Sequence, residues 1–259
     1  MLKRFIFFAL ITQGYFSFSQ FIVDGQFVQR TEFRNGYGKL MSKNDAPAFF
    51  IGQRARLQTG YDLKKVKLYV SIQDVRIWGG TPQVKLSDGL LSVHEAWAET
   101  ILDSTWSLKL GRQELNYDNA RFLGNLDWAL QARAHDFALI KYEKNKLKLH
   151  IGAGYNQDAE KLSGTIFTIS NQYKTAQMLH FENSIRKFDF AFLFWNNGRQ
   201  FIKTDSLNRV IDSNVKFLQT VGIPMLRYQM GNTIVSGFYY HQFGRDIADK
   251  QVNAFDASV

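Results

Sequence analysis

In VHEAWAE, Glu95 and Glu99 recur at an even spacing, so an extended chain puts both carboxylates on one face, as acid–base hydrolysis could require. At about 3.3 Å per strand residue they stand roughly 13 Å apart. Paired glycosidase carboxylates lie only about 5–9.5 Å apart, so a salt-bridging role in a wall is expected instead. His94 beside Glu95 offers zinc a nitrogen and an oxygen, but adjacent strand residues point to opposite faces, so no zinc site is expected. Asp118 and Asp127 are oxygen ligands of the kind calcium takes, although solvated loop acids are commoner than sites. Gly152–Gly154 reads GAG without the third glycine of a dinucleotide fingerprint, and small residues there would simply relieve crowding. The sequence contains no HExxH, GxSxG, P-loop or CxxC pattern. The expectation is therefore no catalytic residue, no metal and no cofactor.

The elements that carry these residues follow from composition and periodicity. The chain has 259 residues, a formal charge of +9, 15% aromatic residues and no cysteine, so disulfides and thiolate metal sites are excluded. MLKRFIFFALITQGYFSFSQ has a basic start, a short apolar run and a small-polar end, the pattern of a signal peptide over residues 1–19 cut near Ser19–Gln20. An exported chain rarely meets nucleic acid, so no nucleic-acid partner is expected despite the basic, aromatic composition. Residues 20–259 then form one domain.

Past the leader, period-two segments dominate. Phe21, Val23, Phe27 and Phe33 oppose Asp24, Gln26, Arg30, Glu32 and Arg34. Phe49, Ile51, Ala55, Leu57 and Tyr61 oppose Arg54, Arg56, Gln58 and Asp62. Around Phe188, Phe190, Phe192 and Phe194 the chain is apolar on both faces. Tight turns at Asp62–Lys65, Asp103–Thr105, Lys144–Lys146, Ser184–Lys187 and Gly231–Asn232 alternate with longer polar connections. Those are Asn35–Pro47, Gly79–Leu91, Leu115 to about Ala134, Gln157–Gln172, Asn197–Asn214 and Arg245–Lys250.

Long connections at one end and tight turns at the other are the signature of a transmembrane barrel. The expected fold is all-β, an antiparallel up-and-down transmembrane β-barrel, with about twelve strands in this chain. Its apolar face meets outer-membrane lipid and its polar face lines water, because a closed barrel alone satisfies every strand amide in a bilayer. Tyr61, Trp78, Trp106, Tyr155 and Trp195 suit the interfacial aromatic girdles. The alternating pattern still runs at Val259, so a fragment lacking further strands is expected. The rival fold is a secreted two-sheet β protein.

Parity sends Arg30, Arg34, Arg54, Arg56, Lys67, Lys109 and Lys148 inward with Asp24, Glu32, Glu95 and Glu99, since charge is costly at the lipid midplane. Glu32 and Arg30 are expected to face Arg54 and Arg56 across neighbouring strands. Arg112 shares parity with outward Trp106, Leu108 and Leu110, which demands a position beyond the lipid or a bulge at Gly111. The stretch Leu110–Glu143 holds a loop dense in Arg, Asp, Trp and Tyr, expected to be ordered and to narrow the pore.

GRQEL, YD, ARFLG, LDW, Q, R and HD within that stretch, with SIQDVRIWGG and VHEAWAE before it, resemble the alginate-export type of outer-membrane β-barrel over most of residues 20–200. The resemblance implies a barrel of about eighteen strands with a positive lumen. It implies basic positions at Arg54, Arg56, Arg76, Arg112, Arg121 and Arg133, with Glu95, Glu99, Glu114, Asp118 and Asp136 as acidic partners. The function so implied is a porin-like channel in the outer membrane of a Gram-negative-type bacterium. Anionic small molecules or an acidic polysaccharide would pass without chemistry, with periplasmic export partners on the inner side. The alternative function is an outer-membrane hydrolase or glycan-binding barrel acting through its long loops.

Overall fold

The computed structural model describes residues 20–259 except Tyr37, Lys39, Lys85 and Leu86. The expected leader, 1–19, lies outside the described residues. The strands are β1 (Phe21–Arg34), β2 (Ala48–Asp62), β3 (Val66–Ile77), β4 (Leu91–Ile101), β5 (Trp106–Gln113) and β6 (His135–Lys144). They continue with β7 (Leu147–Tyr155), β8 (Thr175–Ile185), β9 (Phe188–Thr204), β10 (Val210–Met230), β11 (Thr233–Arg245) and β12 (Gln251–Ser258). All belong to one 12-stranded sheet in which each strand pairs antiparallel with its neighbours in sequence. β1 and β12 are the two edges of that sheet among the described residues.

In such a meander, successive connections fall at opposite ends. The tight turns after β2, β4, β6, β8 and β10 share one end, and the longer connections share the other. Two tight turns place Asn145 and Arg186 at φ near +56° and +57°, a conformation that matches strand twist in two-residue hairpins. One expected connection differs. Asn197–Asn214 is mostly paired strand, because β9 runs to Thr204 and β10 begins at Val210.

Burial alternates along the strands, most cleanly on β2 and β6. Outward residues such as Phe27, Phe33, Phe49, Leu57, Leu68, Val70, Ile151 and Tyr155 stay exposed. The inner face is covered by the connection between β5 and β6, residues 114–134, which folds back against the sheet. Leu115 and Leu123 of this loop enter one cluster with Phe137, Leu139, Ala176, Met178, Leu193, Trp195 and Tyr240. The apolar core therefore lies inside the curve of the sheet. Trp195 belongs to this core and not to an outer girdle, since it is buried against Phe137 and Tyr173. The two-sided apolar pattern of β9 follows, with one face outside and the other under the loop. Gly152 makes room here, because a Cβ on it would collide with the Phe137 ring.

Candidate functional site

The inward loop is held on both flanks. On the β1–β3 wall the anchors are ionic. Arg54, with a side chain only 1% exposed, donates to the Leu130 carbonyl (3.2 Å), to Gln26 Oε1 (2.7 Å) and to Asp127 Oδ1 (2.9 Å). Arg56, 6% exposed, donates to Gln73 Oε1 at 2.8 and 3.0 Å and lies 3.6 Å from Asp127. Gln73 in turn donates to the Gln131 carbonyl at 3.0 Å. Arg30 donates to the Trp128 carbonyl at 2.9 Å and pairs with Glu32 at 2.5 Å, while Arg34 takes the same carboxylate at 2.6 Å. Leu130 seats where Gly52 has no Cβ. The expected Glu32–Arg54/Arg56 pairing does not form. The register sets Glu32 opposite Phe50 and Arg30 opposite Gly52, so Glu32 pairs along its own strand instead.

At the root of the loop, β4 carries a bulge. Ser71 pairs with Glu95 and Ile72 with Val93, leaving His94 as the extra residue. A bulge opposes two residues to one and can turn both toward the same side. His94 Nε2 lies 2.8 Å from Glu114 Oε1, and Glu95 Oε2 accepts the Glu114 N–H at 2.9 Å. The expectation that adjacent His94 and Glu95 point apart therefore fails at this position.

Histidines grip the next turn. The Tyr117 hydroxyl lies 2.8 Å from His150 Nδ1, and His150 Nε2 lies 2.9 Å from Glu143. Asp118 and His180 form a closed pair at 3.0 Å with both side chains buried. On the far flank Tyr240 donates to Asn119 at 3.3 Å, and Arg121 pairs with Asp256 of β12. Asp118 and Asp127 thus serve opposite flanks and do not meet in a calcium site.

Other expected residues lie elsewhere. Glu99 faces inward near the tight-turn end, accepting from Ser107 (2.6 Å) and Lys141 (3.0 Å). Arg76 shares the outward face, opposite Gln53, and pairs with Asp74 and Asp88. Arg112 likewise points outward and pairs with Asp136 at 3.1 Å. Pairing runs through Gly111 without a register shift, so no bulge redirects Arg112, and it sits with Asp136 at the long-loop end. Arg133 donates its backbone N–H to the Asn125 carbonyl at 2.6 Å, and its guanidinium makes no ion pair among the described residues.

Sequence reading missed Gln73, Asn125, Trp128, His150 and His180. Inward parity was a usable signal for the two histidines, which pair directly across β7 and β8. For Trp128 the loop offers no parity to read, and the structure leaves the residue 74% exposed while Leu123 and Leu130 are buried.

No family model matches the chain, and no curated protein is significantly similar in sequence. Among solved structures, the sheet superposes on Salmonella typhi OmpF, described in complex with daunomycin, with a TM-score of 0.51 and 13% identity. The match covers 86% of this chain and 66% of that one. The fold is thus that of a porin-type antiparallel β-barrel wall, and the chain spans about two thirds of the OmpF chain.

Proposed function

We propose that the protein is an outer-membrane channel for anionic solutes, with an acidic polysaccharide such as alginate as its cargo, and that it carries out no chemistry. Three features support this reading: the porin-type wall, the apolar outward face and the loop crossing the inner side. The observation that carries it is a charge count. Against the loop on the β1–β2 wall, Arg54 and Arg56 share one carboxylate, Asp127, at 2.9 and 3.6 Å. Two guanidinium groups per carboxylate leave positive charge beside the loop, and a low-dielectric wall focuses it.

Arg54 and Arg56 supply field from beneath the loop, whereas Arg30 and Arg34 border its open side. Next to Arg30, the exposed Trp128 ring offers a flat apolar surface to a sugar ring. An acidic sugar would use both groups, its C–H face on the indole and its carboxylate near the guanidinium. The test is reversal potential across a salt gradient with the full chain in a planar bilayer. Anion preference is expected, weakened or reversed in Arg30→Glu. Cation preference in the unaltered protein would overturn the reading. Block by an oligouronate that weakens in Trp128→Ala would support the polysaccharide cargo, and unchanged block would remove Trp128 from the path.

A further inference from the structure

We propose that His94, Glu95 and Glu114 bind a divalent cation of the zinc type, which fastens the root of the inward loop to β4. One ligand atom from each of the three residues lies within 4.8 Å of the others. The β4 bulge makes this possible by turning neighbouring residues toward the same loop residue. One imidazole and two carboxylates form a borderline donor set, suited to zinc more than to calcium or magnesium.

Charge supplies the second reason. Glu95 and Glu114 bring two carboxylates together, and the one ion-pair partner within 4 Å of either among the described residues is His94. The nearby cationic groups make no ion pair with either carboxylate: Arg56 donates to Gln73 and lies 3.6 Å from Asp127, and Lys109 stands over the face of Trp97 at 3.7 Å. A dication removes the repulsion. The other comparable group, Asp118, His180 and Glu182, lacks this imbalance, because Lys148 already neutralises Glu182 at 3.1 Å and Asp118 pairs with His180.

The ligands are also held from behind. Asn125 Nδ2 donates to the second Glu114 oxygen at 2.8 Å, and Trp97 Nε1 donates to Glu95 at 3.2 Å. Such outer partners fix the orientation of metal-binding carboxylates. Bonds of about 2.0–2.2 Å in a tetrahedral site set ligand atoms roughly 3.3–3.6 Å apart. The 2.8 Å His94–Glu114 contact must open slightly and the widest separation must close, movements within reach of side-chain tips. On binding, Nε2 gives up any hydrogen it carries, to Nδ1 in a neutral ring or to solvent from a charged one. Nothing is oxidised or reduced.

The test uses the folded full chain in detergent, washed with chelator, then titrated with Zn2+ by calorimetry and with Co2+ by visible absorption. The expected result is one Zn2+ per chain and the visible bands of a low-coordinate Co2+ site. Glu95→Gln should weaken Zn2+ binding at least tenfold, and Glu182→Gln should leave it unchanged. Equal binding by Glu95→Gln and the unaltered protein would overturn the proposal, as would a loss confined to Glu182→Gln. If Glu95→Gln does not fold, the unaltered protein still decides, since no Co2+ band and no stoichiometric Zn2+ heat would refute the site.

Discussion

On the β1–β3 wall the inward loop is held by guanidinium groups that reach its carbonyls and Asp127. On the β6–β9 wall it is held by Leu115 and Leu123 packed against Phe137, Leu139, Met178, Leu193 and Trp195. The two flanks divide the work. Directional hydrogen bonds on the first fix where the loop lies, at a net gain of about 1.5–3 kcal/mol per bond from a charged group. Apolar burial on the second supplies free energy without specifying position, at roughly 25 cal/mol per Å2. On the proposed reading the outward residues meet lipid and gain little from burial against protein, so the inner apolar patch is where the hydrophobic effect can stabilise this fold.

The largest effect should come from the apolar flank. Trp195→Ala removes contacts with Phe137 and Tyr173 and should cost about 3–5 kcal/mol. Denaturant unfolding of the folded chain in detergent measures it, and on the proposed channel reading a loop loosened on this flank should also raise single-channel conductance. Next is Arg54→Met, expected to cost about 2–3 kcal/mol. The half-exposed Asp127 can turn to water, so the loss stays below that of a fully buried pair. Pairing it with Asp127→Asn should give clear non-additivity, and simple addition would show that the two walls do not differ as described. Gly152→Ala should cost about 1–2 kcal/mol, because the new Cβ meets Phe137 in a filled space.

The smallest effect lies outside both flanks, in the turn between β4 and β5. Backbone N–H groups of Thr105 and Trp106, at 2.7 and 2.9 Å, hold the Asp103 carboxyl below its ordinary value. A lowered folded-state pKa gives stability that is present above the unfolded value, about 3.9, and lost as pH falls through the folded one. Asp103→Asn should therefore destabilise slightly at neutral pH. Its difference from the unaltered protein should vanish in acid, as measured by unfolding at a series of pH values.

Much of the architecture was legible because strand parity is strict. Charged residues every second position on β1 and β2 could face only one way, and tight turns marked every other hairpin. The placement of the loop was not legible in the same way. Strand parity says which face Arg54 occupies but not that a chain segment some 75 residues later covers it. For the same reason Trp195 looked like a girdle residue: an inward Trp and an outward Trp differ by one position, and β9 is apolar on both faces. His94 and Glu95 defeated the alternation rule because a bulge is a local exception that a single sequence does not announce. Arg76 and Arg112 obeyed the rule, against the resemblance-based expectation, by sitting outward with acidic neighbours at the long-loop end.

The claim on which the rest depends is that residues 114–134 cross the inner side of the sheet from β1–β2 to β12. With no native cysteine, the full chain can carry Arg121→Cys with either Asp256→Cys, facing inward beside the loop, or Phe255→Cys, facing outward. Treatment of the folded protein in lipid vesicles with a short bismaleimide should cross-link the Asp256 pair and spare the Phe255 pair. Equal reaction of both pairs, or reaction of the Phe255 pair alone, would put the loop outside the sheet and contradict the account.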